Sequence, residues 1–188
     1  VPKENLIGPK NAAYRFLVGG GGSKKSGKAV GGAAKGDPRM NAMLNIERVS
    51  TSILSLGIAK AAYKLALDYA QERKAFGKPI GQFQIIQNYL VEMAIQIENA
   101  RNLIYGTVSR SLAGQSAVVQ AQMAKVVAAR ASEYCAIKGL EILGGWGYAM
   151  EYDMQRHFRD YKQMVFAPIT DEMAINVIAR MLGLPKSY

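Results

Sequence analysis

Two short stretches combine reactive side chains with bare backbone. The first reads Glu72-Arg73-Lys74-Ala75-Phe76-Gly77-Lys78-Pro79-Ile80 and runs on to Phe83-Gln84; it sets an arginine at a helix terminus, then an aromatic, then a tight turn. The second, Leu140-Glu141-Ile142-Leu143-Gly144-Gly145-Trp146-Gly147-Tyr148, offers main chain with almost no side chains in the way. A guanidinium fork suits a phosphate, and glycines let a nucleotide touch the backbone, so the pair points to a flat or anionic ligand. Taken singly, each has a plainer meaning: a surface charge near a turn, or a glycine helix stop.

Other chemistries fit less well. Gly19 to Gly22 with Lys24 lacks the Gly, four residues, Gly, Lys, Ser/Thr order of a phosphate loop. One histidine and one cysteine cannot furnish an ordinary zinc site. A Cys135/His157 nucleophile pair is outweighed by the setting of Cys135 in the apolar run Ala131 to Leu143, which predicts a small buried thiol. His157, between Arg156 and Phe158, is expected to be partly exposed on a short helix.

The chain has 188 residues, 49% hydrophobic and 20% charged, enough for one domain with a core and incompatible with disorder throughout. No stretch approaches the roughly 20 apolar residues of a bilayer span, and no signal peptide is recognisable, which predicts a soluble chain. The lone Cys135 cannot form an internal disulfide, which suits a reducing compartment such as the cytoplasm. The net charge of +10 would suit a nucleic-acid binder if it formed a patch on the folded part. Most of it instead precedes Met40: Lys3, Lys10, Arg15, Lys24, Lys25, Lys28, Lys35 and Arg39 face only Glu4 and Asp37. Residues 19–40 are rich in Gly, Lys, Ser and Ala, with no aromatic to stack a base, and read as a flexible loop.

Beyond Met40 the periodicity is helical. Ile46, Val49, Ile53, Leu56, Ala59, Tyr63, Leu67 and Ala70 predict a helix of about 30 residues, ended by Phe76-Gly77-Lys78-Pro79. Phe83, Ile86, Leu90, Met93, Ile97, Ala100, Ile104 and Val108 mark a second, stopping near Ala113-Gly114. A third starts around Ser116 and reaches the break Gly144-Gly145-Trp146-Gly147; a shorter run covers Asp153 to Asp160. Thr170 then caps a last helix with Asp171 and Glu172 in its first turn. The pattern is all-α, an up-down antiparallel four-helix bundle over residues 41–188. Val1 to Gly8 reads as a strand end, so 1–18 is expected to be the end of a β domain and its connection.

In this order the stations resemble the C-terminal helical domain of the acyl-CoA dehydrogenases, from about Leu44 to Leu184. They are Ile46-Glu47-Arg48, Leu56-Gly57-Ile58-Ala59, Tyr69 to Gly77 with Gln84, Gly144 to Tyr148, Arg159-Asp160, and Ile178-Ala179-Arg180. Val1 to Gly8 is similar to the last strand of that family's middle β domain. The resemblance implies FAD as cofactor, an acyl-CoA thioester as substrate, α,β-dehydrogenation as the reaction and an electron-transfer flavoprotein as acceptor. It further implies that Arg73 and Phe76, supported by Gln84, reach the pyrophosphate and adenine side of a neighbouring subunit's FAD. Glu141, Gly144 and Gly145 would lie along its adenosine portion, and Thr170 and Glu172 would touch flavin.

The reaction needs a base for the α proton while hydride leaves the β carbon. Many family members carry that base, a glutamate, in the loop before the last helix, where this chain has Pro168. In the branch resembling isovaleryl-CoA and long-chain dehydrogenases it comes from the first bundle helix, just before an arginine. Glu47-Arg48 stands there, so Glu47 is the implied base, with Asn45 and Arg48 as substrate-binding neighbours. The family's N-terminal helical domain and nearly all of its β domain have no counterpart here. A dehydrogenase fragment, a half-subunit needing a partner chain, and a non-catalytic helical assembly module are all open. Tyr63, Met93, Ile97 and Met123 are expected on broad apolar faces that bury further area in a dimer or tetramer.

Overall fold

A computed structural model describes residues 38–185. Helix α1 (Pro38–Glu72) is followed by a minimal hairpin, β1 (Lys74–Ala75) and β2 (Lys78–Pro79), and a 3-10 turn (Ile80–Gln82). Helices α2 (Gln84–Leu112) and α3 (Val118–Leu143) come next, then the single turn α4 (Gly145–Tyr148), α5 (Met154–Phe166) and α6 (Asp171–Met181). The long helices form the expected four-helix bundle, with α3 packed against α2, α5 and α6. Among the described residues no helix is long and apolar enough to cross a membrane. The expectation for Val1 to Gly8 and that for the Gly/Lys-rich segment up to residue 37 lie outside the described residues; residues 38–40, expected in the loop, instead open α1, with Pro38 at a first helical position where its missing N–H is no loss.

The core explains the helix order. Small residues on α1 (Ala59, Ala62, Ala66, Ala70) meet larger ones on α2 (Leu90, Met93, Ile97, Ile104) and the alanine ridge Ala124, Ala128, Ala131 of α3. Small against large at facing positions lets the helices approach closely and fill the space between them. Helix α3 is buried on nearly every side, which a helix takes only when neighbours cover all its faces.

Three expectations are corrected. Met93 and Ile97 are 0% and 7% exposed and belong to the interior, so they offer no subunit face; Val91 and Ile95, two residues away on the opposite side of α2, point outward. His157 is buried, not partly exposed, because α5 turns that position toward the bundle. Helix α5 continues past Asp160 to Phe166, since Tyr161 extends the buried stripe begun by Met154 and His157. The sole described thiol behaves as expected: Cys135 is fully buried and burial pushes its pKa up to about 12, which removes it as a nucleophile.

Gly147 holds the α3–α4 corner. A Cβ there would lie 2.9 Å from the Leu140 carbonyl oxygen and 3.1 Å from the Leu140 Cα, both backbone atoms that cannot swing aside. Gly147→Ala is expected to destabilise the chain by about 1–3 kcal/mol, the usual cost of overpacking, seen as a Tm lowered by several degrees.

Candidate functional site

The residues singled out in the sequence fall at two ends of the bundle. Arg73 leaves the C-terminus of α1 and Gly144 the C-terminus of α3, and both line one cleft of about 600 Å³ with Tyr69, Ile80, Gly145 and Trp146. Since α1 and α3 end together, they run parallel, and their N-terminal halves share the opposite end. There α1 carries Asn45, Glu47 and Arg48, and the first turn of α6 is bonded to the N-terminal half of α3. At a rise of about 1.5 Å per residue, Glu47 and Arg73 are separated by roughly 38 Å of helix.

At the cleft end the α1–α2 connection is built to project an aromatic. Lys74 pairs with Pro79 and Ala75 with Lys78, leaving Phe76 and Gly77 at the tip with φ of 53° and 79°. Two positive φ values suit a type I′ turn, whose first position favours Asn, Asp or Gly. A phenylalanine there costs about 1–2 kcal/mol of backbone strain. It is also 95% exposed, touching Phe83 edge-on at 6.2 Å between ring centroids. The hairpin thus holds an apolar ring in water at a strained backbone position.

The cleft itself is open. A Cβ added at either Gly144 or Gly145 would meet nothing within 4 Å, so the main chain there is accessible to a ligand. Tyr152 supports its wall, with its ring 5.9 Å from both Tyr69 and Trp146. Among the described residues no carboxylate lies within ion-pair distance of the exposed Arg73. A free guanidinium beside bare backbone suits a phosphate diester, so these residues fit the pyrophosphate of a dinucleotide. Gln84 is exposed at the first position of α2. Glu141 is not among the cleft residues; its carboxylate pairs with Lys138 at 2.7 Å, whose Nζ also lies 4.5 Å from the centre of the Tyr89 ring.

At the opposite end Glu47 is exposed and sits well inside α1, not in its first turn, because the helix begins at Pro38. Arg48 is half-buried, and its Nη1 approaches Asn45 Oδ1 at 3.4 Å. Desolvation pulls the Arg48 guanidinium pKa down, against the opposing pull of the Glu47 carboxylate. Arg48 Nε is buried with no hydrogen-bond partner among the described residues, an orphan donor of the kind a bound ligand satisfies. Below it Thr51, Ser52 and Ser55 form a buried hydroxyl stripe, each donating to the carbonyl four residues back.

Thr170 N-caps α6 by accepting from the Met173 N–H at 3.3 Å. Glu172 is exposed in that first turn, and its pKa is lowered by its own backbone N–H and by the Thr170 hydroxyl. One residue of this end escaped the sequence reading: Lys125 of α3, fully buried and bonded to Asp171. A lysine among mostly apolar helix neighbours (Ala121, Ala124, Val126, Ala128, Ala129) was its only trace.

Comparison with known proteins gives this geometry its family. Residues 34–183 match the family described as acyl-CoA dehydrogenase, C-terminal domain. The chain belongs to the acyl-CoA dehydrogenase family. It is 37% identical over 179 residues to the short-chain specific acyl-CoA dehydrogenase of Megasphaera elsdenii, covering 94% of this chain and 40% of that protein. It is 35% identical over 185 residues to subunit CarC of the caffeyl-CoA reductase-Etf complex of Acetobacterium woodii, covering 97% and 42%. Among solved structures, butyryl-CoA dehydrogenase from Megasphaera elsdenii superposes with a TM-score of 0.76 at 36% identity, over 81% of this chain and 40% of that one. The FAD complex of PigA does so with a TM-score of 0.76 at 26% identity, over 82% and 40%. The chain therefore spans about two fifths of the length of these relatives.

Proposed function

We propose that this chain supplies the C-terminal bundle of an FAD-dependent acyl-CoA dehydrogenase that introduces an α,β double bond into an acyl-CoA thioester. The observation that carries the reading is the exposed Glu47 next in sequence to the half-buried Arg48, whose Nε lacks a partner among the described residues, at the bundle end that also holds Thr170 and Glu172. Glu47 removes the α proton of the thioester; Arg48 and Asn45 hold the acyl-CoA beside it. A flavin bound there would supply the acceptor for the hydride leaving the β carbon. Pro168 has no carboxyl group, so the 167–170 loop contributes shape and not proton transfer. Thr170 and Glu172 meet the flavin end of the cofactor.

Arg73, Phe76, Gln84, Glu141, Gly144 and Gly145 lie at the other end of the bundle, roughly 38 Å of helix from Glu47, too far to serve the same reacting centre. They bind the adenosine and pyrophosphate side of a cofactor held by a second copy, which makes an oligomer, dimer or tetramer, part of the function. An apolar groove of about 970 Å³ between α1 and α2, lined by Tyr63, Leu67, Leu90, Val91 and Ile95, supports that association. The likeness to CarC, a subunit of a reductase-Etf complex, supports an electron-transfer flavoprotein as redox partner. A single buried cysteine is consistent with a reducing compartment and supports a cytoplasmic location. In this reading residues 41–188 are the bundle domain, whose first helix reaches back to Pro38, the stretch from residue 19 up to that helix is a linking segment, and 1–18 is the end of a β domain.

Gel filtration with flavin absorbance tests the proposal. The chain is expected to form a yellow complex when co-expressed with a polypeptide carrying the remaining three fifths of the Megasphaera elsdenii relative. A stable colourless oligomer that never takes up flavin would instead mark a non-catalytic assembly module.

A further inference from the structure

Lys125 has no role in the reaction as derived above. Its side chain is fully buried, and Nζ donates to the Val165 carbonyl oxygen at 2.9 Å and to Asp171 Oδ1 at 2.5 Å. Val165 lies in the last turn of α5, and Asp171 is the first residue of α6. One ammonium thus ties together the two helix ends that flank the 167–170 loop.

The chemistry of both ends favours a cation. The carbonyls in the last turn of a helix lack intrahelical donors and carry the negative end of its dipole. Pro168 deepens that deficit, since it has no N–H to return to the Met164 carbonyl four residues back. Asp171 brings a full negative charge at the start of the next helix. Desolvating an ammonium costs several kcal/mol, and an apolar side chain of similar volume would avoid that cost, so packing alone does not account for a lysine here.

We infer that Lys125 is a positioning residue, whose ammonium sets the path of the 167–170 loop and thereby the placement of Thr170 and Glu172 toward flavin. The inference rests on the flavin reading above for its purpose, but not for the clamp itself.

Amide hydrogen exchange on the full chain tests the clamp without cofactor. Lys125→Met keeps volume and removes the charge; the segment from Val165 to Met173 is expected to exchange about tenfold faster, while α2 around Met93 to Ile104 keeps its protection. Asp171→Asn, at the rim of the bundle, weakens only one arm and gives a smaller rise in the same segment, so the result stands even where Lys125→Met fails to fold. Lys125→Ala is expected to regain loop protection on addition of ethylammonium and not of ethanol, which separates charge from packing. An unchanged loop in Lys125→Met or Asp171→Asn, or equal rescue by ethanol, would overturn the clamp. In the flavin-binding complex, Lys125→Met is expected to weaken FAD binding about tenfold in parallel; a loosened loop with unaltered FAD affinity would overturn its role toward flavin. Absence of FAD binding by the wild-type complex would count against the functional reading alone, and the exchange data would still decide the clamp.

Discussion

Replacing Glu47 by glutamine is expected to lower the rate of flavin reduction by acyl-CoA about a hundredfold to ten-thousandfold, and to abolish exchange of the α proton. An amide keeps the shape of the carboxylate and much of its hydrogen bonding but cannot accept a proton at neutral pH. Glu47 is exposed and makes no described ion pair, so the substitution leaves the bundle intact and substrate binding largely unchanged. Stopped-flow absorbance of the flavin-loaded complex measures the rate, and deuterium exchange into a slow substrate measures proton removal. Pro168→Glu is the informative partner variant, since it returns a carboxyl group to the loop where other relatives are expected to carry their base.

The second large effect belongs to Arg73. Arg73→Ala is expected to weaken FAD binding about ten- to a hundredfold, the worth of roughly 1.5–3 kcal/mol for charge-assisted hydrogen bonds to a phosphate. Arg73 is exposed and unpaired among the described residues, so the loss should come without a change in helical content or Tm. Arg73→Lys restores charge but not the bidentate fork and is expected to recover only part of the affinity. Titration of FAD, followed by fluorescence quenching, reads both variants.

The bundle was legible where a helix buries a single stripe, as α2 does. Leu90, Met93, Ile97, Ala100 and Ile104 recur at three and four residues, and all of them are buried on α2. The same periodicity cannot say whether a stripe faces its own bundle or another copy, so Met93 and Ile97 were expected at an interface although they fill the core. Capping was legible too, since Thr170 with Asp171 and Glu172 is a local signal with a local cause. Burial of a polar side chain is decided by elements distant in sequence. Nothing within α3 shows that Val165 and Asp171 will arrive beside Lys125, and nothing next to His157 shows that α5 will turn it inward. Phe76 was legible as an aromatic at a turn, but its left-handed backbone follows from the register Lys74 to Pro79, which only the folded hairpin fixes.

Of the candidate site, the sequence brought out the residue types and the structure brought out their division. Arg73 with Gly144 and Gly145 proved to be a single cleft despite their distance in the chain, because α1 and α3 end at the same place. Glu47 and Arg48 lie at the far end of the same helix. Motifs alone do not say how far apart these groups stand; the length of α1 puts roughly 38 Å of helix between them.

The account is tested most directly by anaerobic addition of a short-chain acyl-CoA to the yellow complex of this chain with the remaining domains of its Megasphaera elsdenii relative. Bleaching of the flavin absorbance with wild-type chain, and its loss with Glu47→Gln at unchanged flavin content, is the predicted result. Bleaching at the same rate in both, or none with the wild-type chain in a complex that holds flavin, would contradict it.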